Sequence, residues 1–352
     1  MVKRKLNKKG KIVLFSLVVL FLIVTVLIFM FTKEKNIKVK VEDKKQIKKE
    51  VKQEEKLKIF DLDSNTRPYA VMINNISTVW GYQCGLQDAY LVYEIIVEGG
   101  YTRLMALFKD KTLDRIGSVR SSRHYFLDYA LENDAIYVHF GWSPQAQNDI
   151  SSMGINNINF MSYNGYIRDT SLPLAIEHTA FTSTDKIMSG ASYYGYRTIT
   201  DIKPLFNYSV KSIDLSNIEG VIPANKIYIN YSNSRSTTFV YDGESKVYKR
   251  YQNDIEHTDY MTGQIYTAKN IITYQVSNYS IPGDDKGRQT LDNIGSGTGW
   301  YVTEGNAVPI TWEKTSRESK TKYKYLDGTE IKINDGNTYI EIQPIGRDLV
   351  IE

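Results

Sequence analysis

The longest run of hydrophobic positions lies near the N-terminus. Residues 12–31 read IVLFSLVVLFLIVTVLIFMF, carry no charge, and include only two polar residues, Ser16 and Thr25. As a helix that rises about 1.5 Å per residue, this segment spans roughly the 30 Å thickness of a bilayer core. The pattern therefore predicts a transmembrane anchor at 12–31.

The residues around this segment indicate its orientation and argue against its removal. Six basic residues occur within 1–11, and the positive-inside rule then places this basic tail in the cytoplasm and the body outside. A cleaved signal peptide would have a shorter apolar region and a small-residue cleavage site, which 30–34 do not offer. A lipoprotein would carry a cysteine just after the apolar segment, whereas the single cysteine here is Cys84. We expect a single-pass anchor in the cell membrane.

A charged pattern follows at 32–58. Lysine dominates it, and 33–58 contain no aromatic residue, proline or glycine. Such a segment has too few apolar residues to bury a core of its own. We interpret 32–58 as a solvated linker between the anchor and the body.

From residue 59 the pattern alternates between short apolar runs and helical spacing. Runs at 69–73 and 135–139 predict buried strands, and 125–131 predict a helix. The spacing of apolar residues at 86–97 favours a helix, with a strand as the alternative. This order predicts an α/β domain at 59–215, with a mixed sheet and covering helices.

The second half of the body has the pattern of an all-β domain. Strand-like runs follow one another at short spacing, and turn signals such as Asp242-Gly243 and Asp327-Gly328 separate them. We predict a mostly antiparallel, β-rich domain at 216–352.

Net charge bears on the partners rather than on the fold. The chain has 44 basic and 40 acidic residues; 17 and 6 of these lie in 1–58, which leaves 27 basic against 34 acidic residues in 59–352, a net charge of −7. Nucleic-acid binding needs a basic face, so the acidic body argues against it. A local cluster of basic residues can still bind a small anion.

Candidate ligand-binding residues concentrate where a predicted strand gives way to a helix. Arg120 and Arg123 flank two serines in IGSVRSSRHYFLDYA, and either serine can cap the helix that follows. A helix N-terminus attracts anions, and arginine adds bidentate donors for phosphate or carboxylate. The alternative is that the arginines pair with Glu94 or Glu98 and only fix the sheet edge. The ligand-binding candidates are Arg67, Arg103, Arg120, Ser121 and Arg123.

Four other residues are candidates for acid–base catalysis. His139 ends a predicted strand before a glycine-containing loop and is a candidate general base. His178 follows Asp169 in one polar segment, and Glu94 can either balance the arginines or act as an acid or base. The chain has no HxxH or HxxxH spacing, so we predict no metal site, and no motif predicts a cofactor.

The order of several motifs resembles that of a known family. The stretches RPYAVMINN, VYEIIVEGGYTRLMALF, IGSVRSSRHYFLDYA and YVHFGWSPQA are followed in the second half by PITWEKTS and YLDGTEIKINDGNTYIEI. In this the chain is similar to the YerB-like family of exported envelope (lipo)proteins, over most of 65–345. The resemblance implies two consecutive domains and an extracytoplasmic location, but no activity, because the family has no agreed one. The chain departs from many members in lacking a lipobox cysteine and in having Glu177-His178-Thr179 in place of a Pro-His-Asn element.

These patterns leave several hypotheses of function. The first is an extracytoplasmic envelope protein that binds an anionic ligand, either a phosphate or a glycopolymer, or a wall partner. The second is an envelope enzyme, a phosphotransferase or hydrolase that acts on cell-wall polymers, and the third is a scaffold without a small ligand. The expected partners are the membrane and a cell-wall polymer or envelope protein. An enzyme differs from a binder in requiring a base or nucleophile within hydrogen-bond reach of the reacting centre.

Overall fold

The computed structural model describes residues 7–47 and 56–352. The chain divides into an N-terminal unit and a body, with the division between Glu55 and Lys56. The N-terminal unit contains helix α1 (Lys8–Ile47). This helix includes the predicted anchor at 12–31 and continues into the predicted linker, whereas 1–6 of the basic tail and 48–55 of the linker lie outside the described residues.

Short strands dominate the body. In its first half the strands and helices are β1 (Tyr69–Asn74), β2 (Leu91–Ile96), β3 (Thr102–Phe108), β4 (Ile116–Gly117), α2 (His124–Glu132), β5 (Ile136–His139), α3 (Pro144–Ser152), β6 (Asn157–Asn159), β7 (Ile167–Arg168), β8 (Ala180–Thr182), α4 (Thr184–Tyr193) and β9 (Asn207–Ser209). In its second half they are β10 (Ile222–Pro223), β11 (Lys226–Ser232), β12 (Arg235–Asp242), β13 (Val247–Gln252), β14 (Ile255–Glu256), β15 (Thr267–Ala268), β16 (Asn270–Val276), β17 (Asn278–Ser280), β18 (Gln289–Leu291), β19 (Gly295–Thr303), β20 (Asn306–Lys314), β21 (Lys322–Tyr325), β22 (Lys332–Asn334), β23 (Thr338–Pro344) and β24 (Leu349–Ile351).

Two large sheets organise these strands. The larger has eleven strands in the order β10-β20-β19-β16-β23-β2-β3-β1-β5-β6, with β21 paired to β20. The smaller has six, in the order β14-β13-β12-β11-β24, with β15 paired to β13. The first half contributes a mixed sheet with helices, and most strand pairs of the second half are antiparallel. The predicted fold class is therefore confirmed.

Two strand pairs join the two halves of the body: β9 with β22 in a small separate sheet, and β2 with β23 in the larger sheet. β2 runs parallel to β23, in a register that pairs Leu91 with Thr338 and Ile95 with Ile342. The larger sheet thus crosses the boundary that the sequence predicts at 215/216, and 56–352 form a single compact unit. The predicted domain boundary at 215/216 stays a prediction, and it concerns the division of the sequence rather than of the sheet.

Both faces of the larger sheet are covered. Tyr93 and Ile95 of β2 pack in a cluster with residues of α2, whereas Val92 packs in a second cluster with Ile229 and Phe239 of the smaller sheet. A strand buried on both faces needs no alternation of polar and apolar residues, so it can resemble a buried helix in sequence. The helical interpretation of 86–97 was wrong for this reason.

Parallel strands position the candidate site. β1, β5 and β6 run parallel, so their carboxyl ends at Asn74, His139 and Asn159 lie along one edge of the sheet. Ligands of open α/β sheets bind in the crevice outside the carboxyl ends of the strands. The loops after these strands are therefore the expected location of a ligand-binding site.

Because the halves share one sheet, we expect 56–352 to unfold in a single transition. Ile340 of β23 is fully buried, and Ile340→Ala should lower the free energy of unfolding by about 2–5 kcal/mol without splitting the transition. Urea unfolding followed by far-UV circular dichroism and by fluorescence of the four tryptophans, two in each half, tests this. Ile345→Ala, at a side chain that is 63% exposed, is the control and should change little. Two separate transitions would contradict the shared unit.

Candidate functional site

Three candidate arginines lie at the carboxyl edge of β1. Arg103 of β3 pairs in register with Asn74, the last residue of β1. The backbone N–H of Arg120 donates to the carbonyl of Met72 at 2.9 Å, and Arg123 directly precedes α2. The structure thus brings Arg103, Arg120 and Arg123 to one edge of the sheet.

Glu98 binds two of these arginines. Its Oε1 accepts from Arg103 Nη2 at 3.2 Å and from Arg123 Nη2, and its Oε2 accepts from Arg123 Nε at 2.9 Å. Burial by itself would raise the pKa of Glu98, but Arg123 and Arg103 outweigh burial and lower that pKa to about 2. Arg103 and Arg123 therefore form a structural ion-pair group with Glu98, which is the alternative that the sequence left open.

Arg120 has a different set of contacts. Its Nη1 donates to the carbonyl of Glu177 at 3.0 Å, and Arg168 Nη1 donates to the adjacent carbonyl of Ile176. Within the described residues neither guanidinium forms an ion pair with a carboxylate. Burial lowers the pKa of Arg120, Glu177 opposes this shift, and Arg123 reinforces it. Two arginines thus converge on one short turn, and neither is held in an ion pair with a carboxylate among the described residues.

His178 belongs to the same turn, and we call Arg120, Arg168 and His178 the Arg120 cluster. The ring Nδ1 accepts from Asn74 Nδ2 at 3.0 Å, so a neutral ring carries its proton on Nε2, which lies 3.9 Å from Glu177 Oε1. Burial and the charge of Arg120 lower the pKa of His178. In this arrangement the neutral ring offers a donor rather than a free basic nitrogen.

The two serines between the arginines do not cap α2. Arg123 occupies the N-cap position, and no side chain makes the capping hydrogen bond. Ser121 Oγ donates to the carbonyl of Phe140 at 2.9 Å, and Ser122 Oγ accepts from Tyr137 OH at 2.9 Å. The predicted serine cap was therefore wrong, because these hydroxyls hold the arginine loop against β5 and the loop that follows it.

Arg67 does not join this edge. It precedes β1, whose six residues separate it from Asn74 by roughly 20 Å. Its Nε donates to the carbonyl of Asp134 at 2.7 Å, its Nη1 donates to Asn156 Oδ1 at 2.7 Å, and its Nη2 lies 3.4 Å from Asp134 Oδ1. Arg67 fixes the amino end of the strand.

Two of the catalytic candidates have their polar atoms engaged within the fold. His139 is fully buried, with Nδ1 2.8 Å from the carbonyl of Gly141 and Nε2 3.0 Å from Asn157 Oδ1, and burial lowers its pKa to about 4. Asp169 accepts from Arg115 Nη2 at 2.6 Å and from the backbone N–H of Ser171 at 3.1 Å. Both residues position loops near the edge.

Glu94 lies in the interface between the two large sheets. It is fully buried and accepts from Arg235 Nη2 at 2.6 Å, from Arg250 Nη2 and from Thr102 Oγ1 at 2.6 Å. Burial raises its pKa, but the two arginines outweigh burial and lower it. Its register partner Glu341 has a raised pKa because of burial and the adjacent Glu94 charge, and it accepts from Tyr231 OH at 2.6 Å. Glu94 is therefore placed as a structural anion, away from solvent.

Sequence reasoning missed the second arginine of the Arg120 cluster. Arg168 lies in the same polar segment as His178 but far along the chain from Arg120, so only the fold brings the two together. The sequence offered no signal for this convergence; in the structure the isoleucines beside it, Ile167 and Ile176, are 58% and 57% exposed.

The fold combines a body of two packed sheets with an N-terminal apolar helix that is a candidate membrane anchor. Comparison with known proteins identifies it more narrowly. The family model described as "Protein of unknown function (DUF3048) N-terminal domain" matches residues 57–197, and the model of the C-terminal domain matches 227–340. The chain therefore belongs to this family, and the resemblance to YerB-like proteins is confirmed.

Two relatives support this assignment. The chain is 30% identical over 287 residues to "Putative lipoprotein YerB" of Bacillus subtilis (strain 168), which covers 79% of this chain and 81% of that protein. It also superposes on the crystal structure of the YerB protein from Bacillus subtilis with a TM-score of 0.70 and 27% identity, over 84% of this chain and 99% of that one. Among the described residues one helix segment, Lys8–Lys35, is long and apolar enough to cross a membrane. This helix and the lipoprotein relative both indicate attachment to a membrane.

Because Glu98 forms ion pairs in the folded state, the free energy of unfolding should fall as the pH becomes acidic. Its folded pKa of about 2 is below its ordinary value of 4.5, so the stabilisation is fully present above pH 5 and is lost as the pH falls towards 2. Because a tenfold change in proton affinity corresponds to about 1.4 kcal/mol, the stabilisation amounts to at most about 3 kcal/mol. We expect Glu98→Gln to be less stable than wild type at pH 7 and to lose less stability between pH 5 and 3, as measured by urea unfolding of 56–352.

Glu256→Gln, at an exposed carboxylate of β14, is the control for this series. It should follow the wild-type dependence on pH. If Glu98→Gln loses as much stability as wild type between pH 5 and 3, the ion-pair group does not have the assigned strength.

Proposed function

We propose that this chain is a single-pass envelope protein whose body binds an anionic group outside the membrane. Residues 12–31 form the anchor, the N-terminus lies in the cytoplasm, and 56–352 are extracytoplasmic. The Arg120 cluster binds the anion, which is a phosphate or carboxylate of a cell-wall polymer or of an envelope partner.

The absence of a carboxylate partner at Arg120 and Arg168, within the described residues, is the observation that supports this proposal. Each guanidinium has five N–H donors. One of its nitrogens donates to a backbone carbonyl, so the other donors remain for a ligand. Planar guanidinium groups suit the bidentate binding of phosphate and carboxylate. Most other arginines near this edge, including Arg103, Arg115 and Arg123, are paired with carboxylates.

The ion-pair group behind the cluster adds to its positive potential. Arg103 and Arg123 share the single charge of Glu98, which leaves a net charge of +1 on those three residues. The Glu177 carboxylate, whose side chain is 52% exposed, partly offsets the charge of the cluster. Ile167 and Ile176 add exposed apolar surface for contact with a partner.

The geometry favours binding over catalysis. Of the four catalytic candidates, His178 is the one that lies in the Arg120 cluster, and its Nδ1 is engaged by Asn74. The two nitrogens of the His178 ring lie near the side chains of Asn74 and Glu177. Neither side chain is a usual nucleophile next to a catalytic base. The envelope enzyme therefore stays the alternative, and it would require a group supplied by the substrate.

The proposal predicts a defect in wall binding. Purified 56–352 should sediment with isolated cell walls that carry phosphate polymers, and Arg120→Ala/Arg168→Ala should weaken this binding by about tenfold, because two charge-assisted contacts are lost. The matched control is Lys226→Ala/Arg347→Ala, which removes the same charge from distant surface positions. Equal binding by the two double variants would contradict the assignment of the cluster.

The proposed topology has its own test. Protease added to intact protoplasts should degrade the body of the full chain, and a tag fused before residue 1 should be degraded only after lysis. This follows from the placement of positive charge on the cytoplasmic side of the anchor. Protection of the body in intact protoplasts would reverse the proposed orientation.

A further inference from the structure

A second cationic feature lies away from the Arg120 cluster. A cleft of about 230 Å³ opens between the segment 203–207 and β21, and we call it the lysine cleft. Its principal lining residues are Lys203, Phe206, Lys320, Lys322, Tyr323 and Glu330. Lys203 and Pro204 also border a small cavity of about 20 Å³ that includes Pro68, just before β1. The lysine cleft is therefore towards the amino end of β1, whereas the Arg120 cluster lies at the carboxyl end.

The charge in this cleft is largely uncompensated. Among the described residues none of its three lysines forms an ion pair with a carboxylate. Lys320 Nζ instead donates to the carbonyl of Lys203 at 2.5 Å and to that of Pro204 at 3.3 Å. Burial lowers the pKa of Lys320, Glu132 opposes this shift, and the charge of Lys203 reinforces it. The one carboxylate that lines the cleft is Glu330.

The carboxylate beneath the cleft, Glu132, opposes the lowering of the pKa of Lys320 but is hydrogen-bonded to other groups. Glu132 is fully enclosed, and its Oε2 accepts from Lys314 Nζ at 3.1 Å and from Thr321 Oγ1 at 2.7 Å. The buried rings of Phe206 and Tyr323 form the floor of the lysine cleft, between the cleft and Glu132. Their centroids are 5.4 Å apart. Three cations thus surround a concavity with an apolar floor, in a body whose charge is negative overall.

We propose that the lysine cleft binds a small phosphate ester that carries a hydroxyl group. A phosphate monoester has a charge of about −1.5 to −2 and three acceptor oxygens, which suits several ammonium donors. A concave wall of one sign of charge focuses the field on such an anion. The cleft is smaller than the roughly 300–1,000 Å³ of sites for drug-sized ligands, so it suits a single unit. Glu330 accepts a hydrogen bond from the hydroxyl group of this ligand. Its negative charge disfavours anions that have no hydroxyl group to donate.

The same chemistry has two sources, a free phosphate monoester or one unit of a glycerol-phosphate polymer. Isothermal titration of 56–352 with glycerol 3-phosphate and with a short glycerol-phosphate oligomer separates them. Tighter binding of the oligomer indicates the polymer, and tighter binding of the monoester indicates the free molecule. Binding of neither probe by the wild type would overturn the proposal.

Variants then test the site. Lys203→Ala/Lys322→Ala should weaken binding of the preferred probe by about tenfold or more, because two of three cations are lost while Lys320 keeps its backbone contacts. Glu330→Gln should tighten binding of inorganic phosphate severalfold, because it removes a repulsive charge. The matched control, Lys226→Ala/Lys286→Ala, removes the same charge elsewhere and should bind within about twofold of wild type.

This inference does not depend on the proposed function of the Arg120 cluster. Arg120→Ala should leave the titrations unchanged, whereas loss of wall binding in that variant concerns the other end of β1. Equal losses in the cleft and control variants would reduce the effect to net charge and overturn the site. A loss in Arg120→Ala without a loss in the cleft variant would assign the phosphate to the Arg120 cluster instead.

Discussion

Parallel hydrogen bonding between β2 and β23 unites the strands of the two halves of the body in one large sheet. The pairing places Glu94 beside Glu341 in the middle of the larger sheet, where neither carboxyl reaches water. Two buried carboxyl groups in contact cannot both be charged at little cost, so one requires cations and the other retains its proton. Arg235 and Arg250 of the smaller sheet supply those cations. The pairing of β2 with β23 therefore fixes the position of the smaller sheet as well as the contact between the two halves of the body.

The same requirement separates structural charges from those available to a ligand. Charges taken out of water must be paired, and Arg67, Arg103 and Arg123 have carboxylates that do this. Among the described residues Arg120 and Arg168, at the carboxyl end of β1, and the three lysines of the lysine cleft, towards its amino end, have no such partner. The two proposed sites are thus places where the fold clusters cations that have no carboxylate partner in an ion pair. Because the two proposed sites lie at opposite ends of β1, each can be tested without disturbing the other.

Local patterns predicted the class of fold, because apolar runs and turn dipeptides are short-range signals. They failed at β2, since a strand with both faces buried has no alternation to distinguish it from a helix. They also failed at the serines before α2, whose hydroxyls bond to Phe140 and Tyr137 rather than to the helix. Arg168 was missed because its convergence with Arg120 depends on contacts between distant segments.

By itself the sequence determined the apolar anchor segment, the acidic character of the body, the fold class and the family. These follow from composition, from short-range periodicity and from ordered motifs, which need no knowledge of distant contacts. Only the tertiary structure decided that the two halves share one sheet and which charged residues neutralise one another. Ion pairing depends on separations of a few ångströms between residues that lie tens to more than a hundred positions apart, such as Glu94 and Arg250. That is why the candidate arginines could be named from sequence, whereas their division into structural and exposed cations could not.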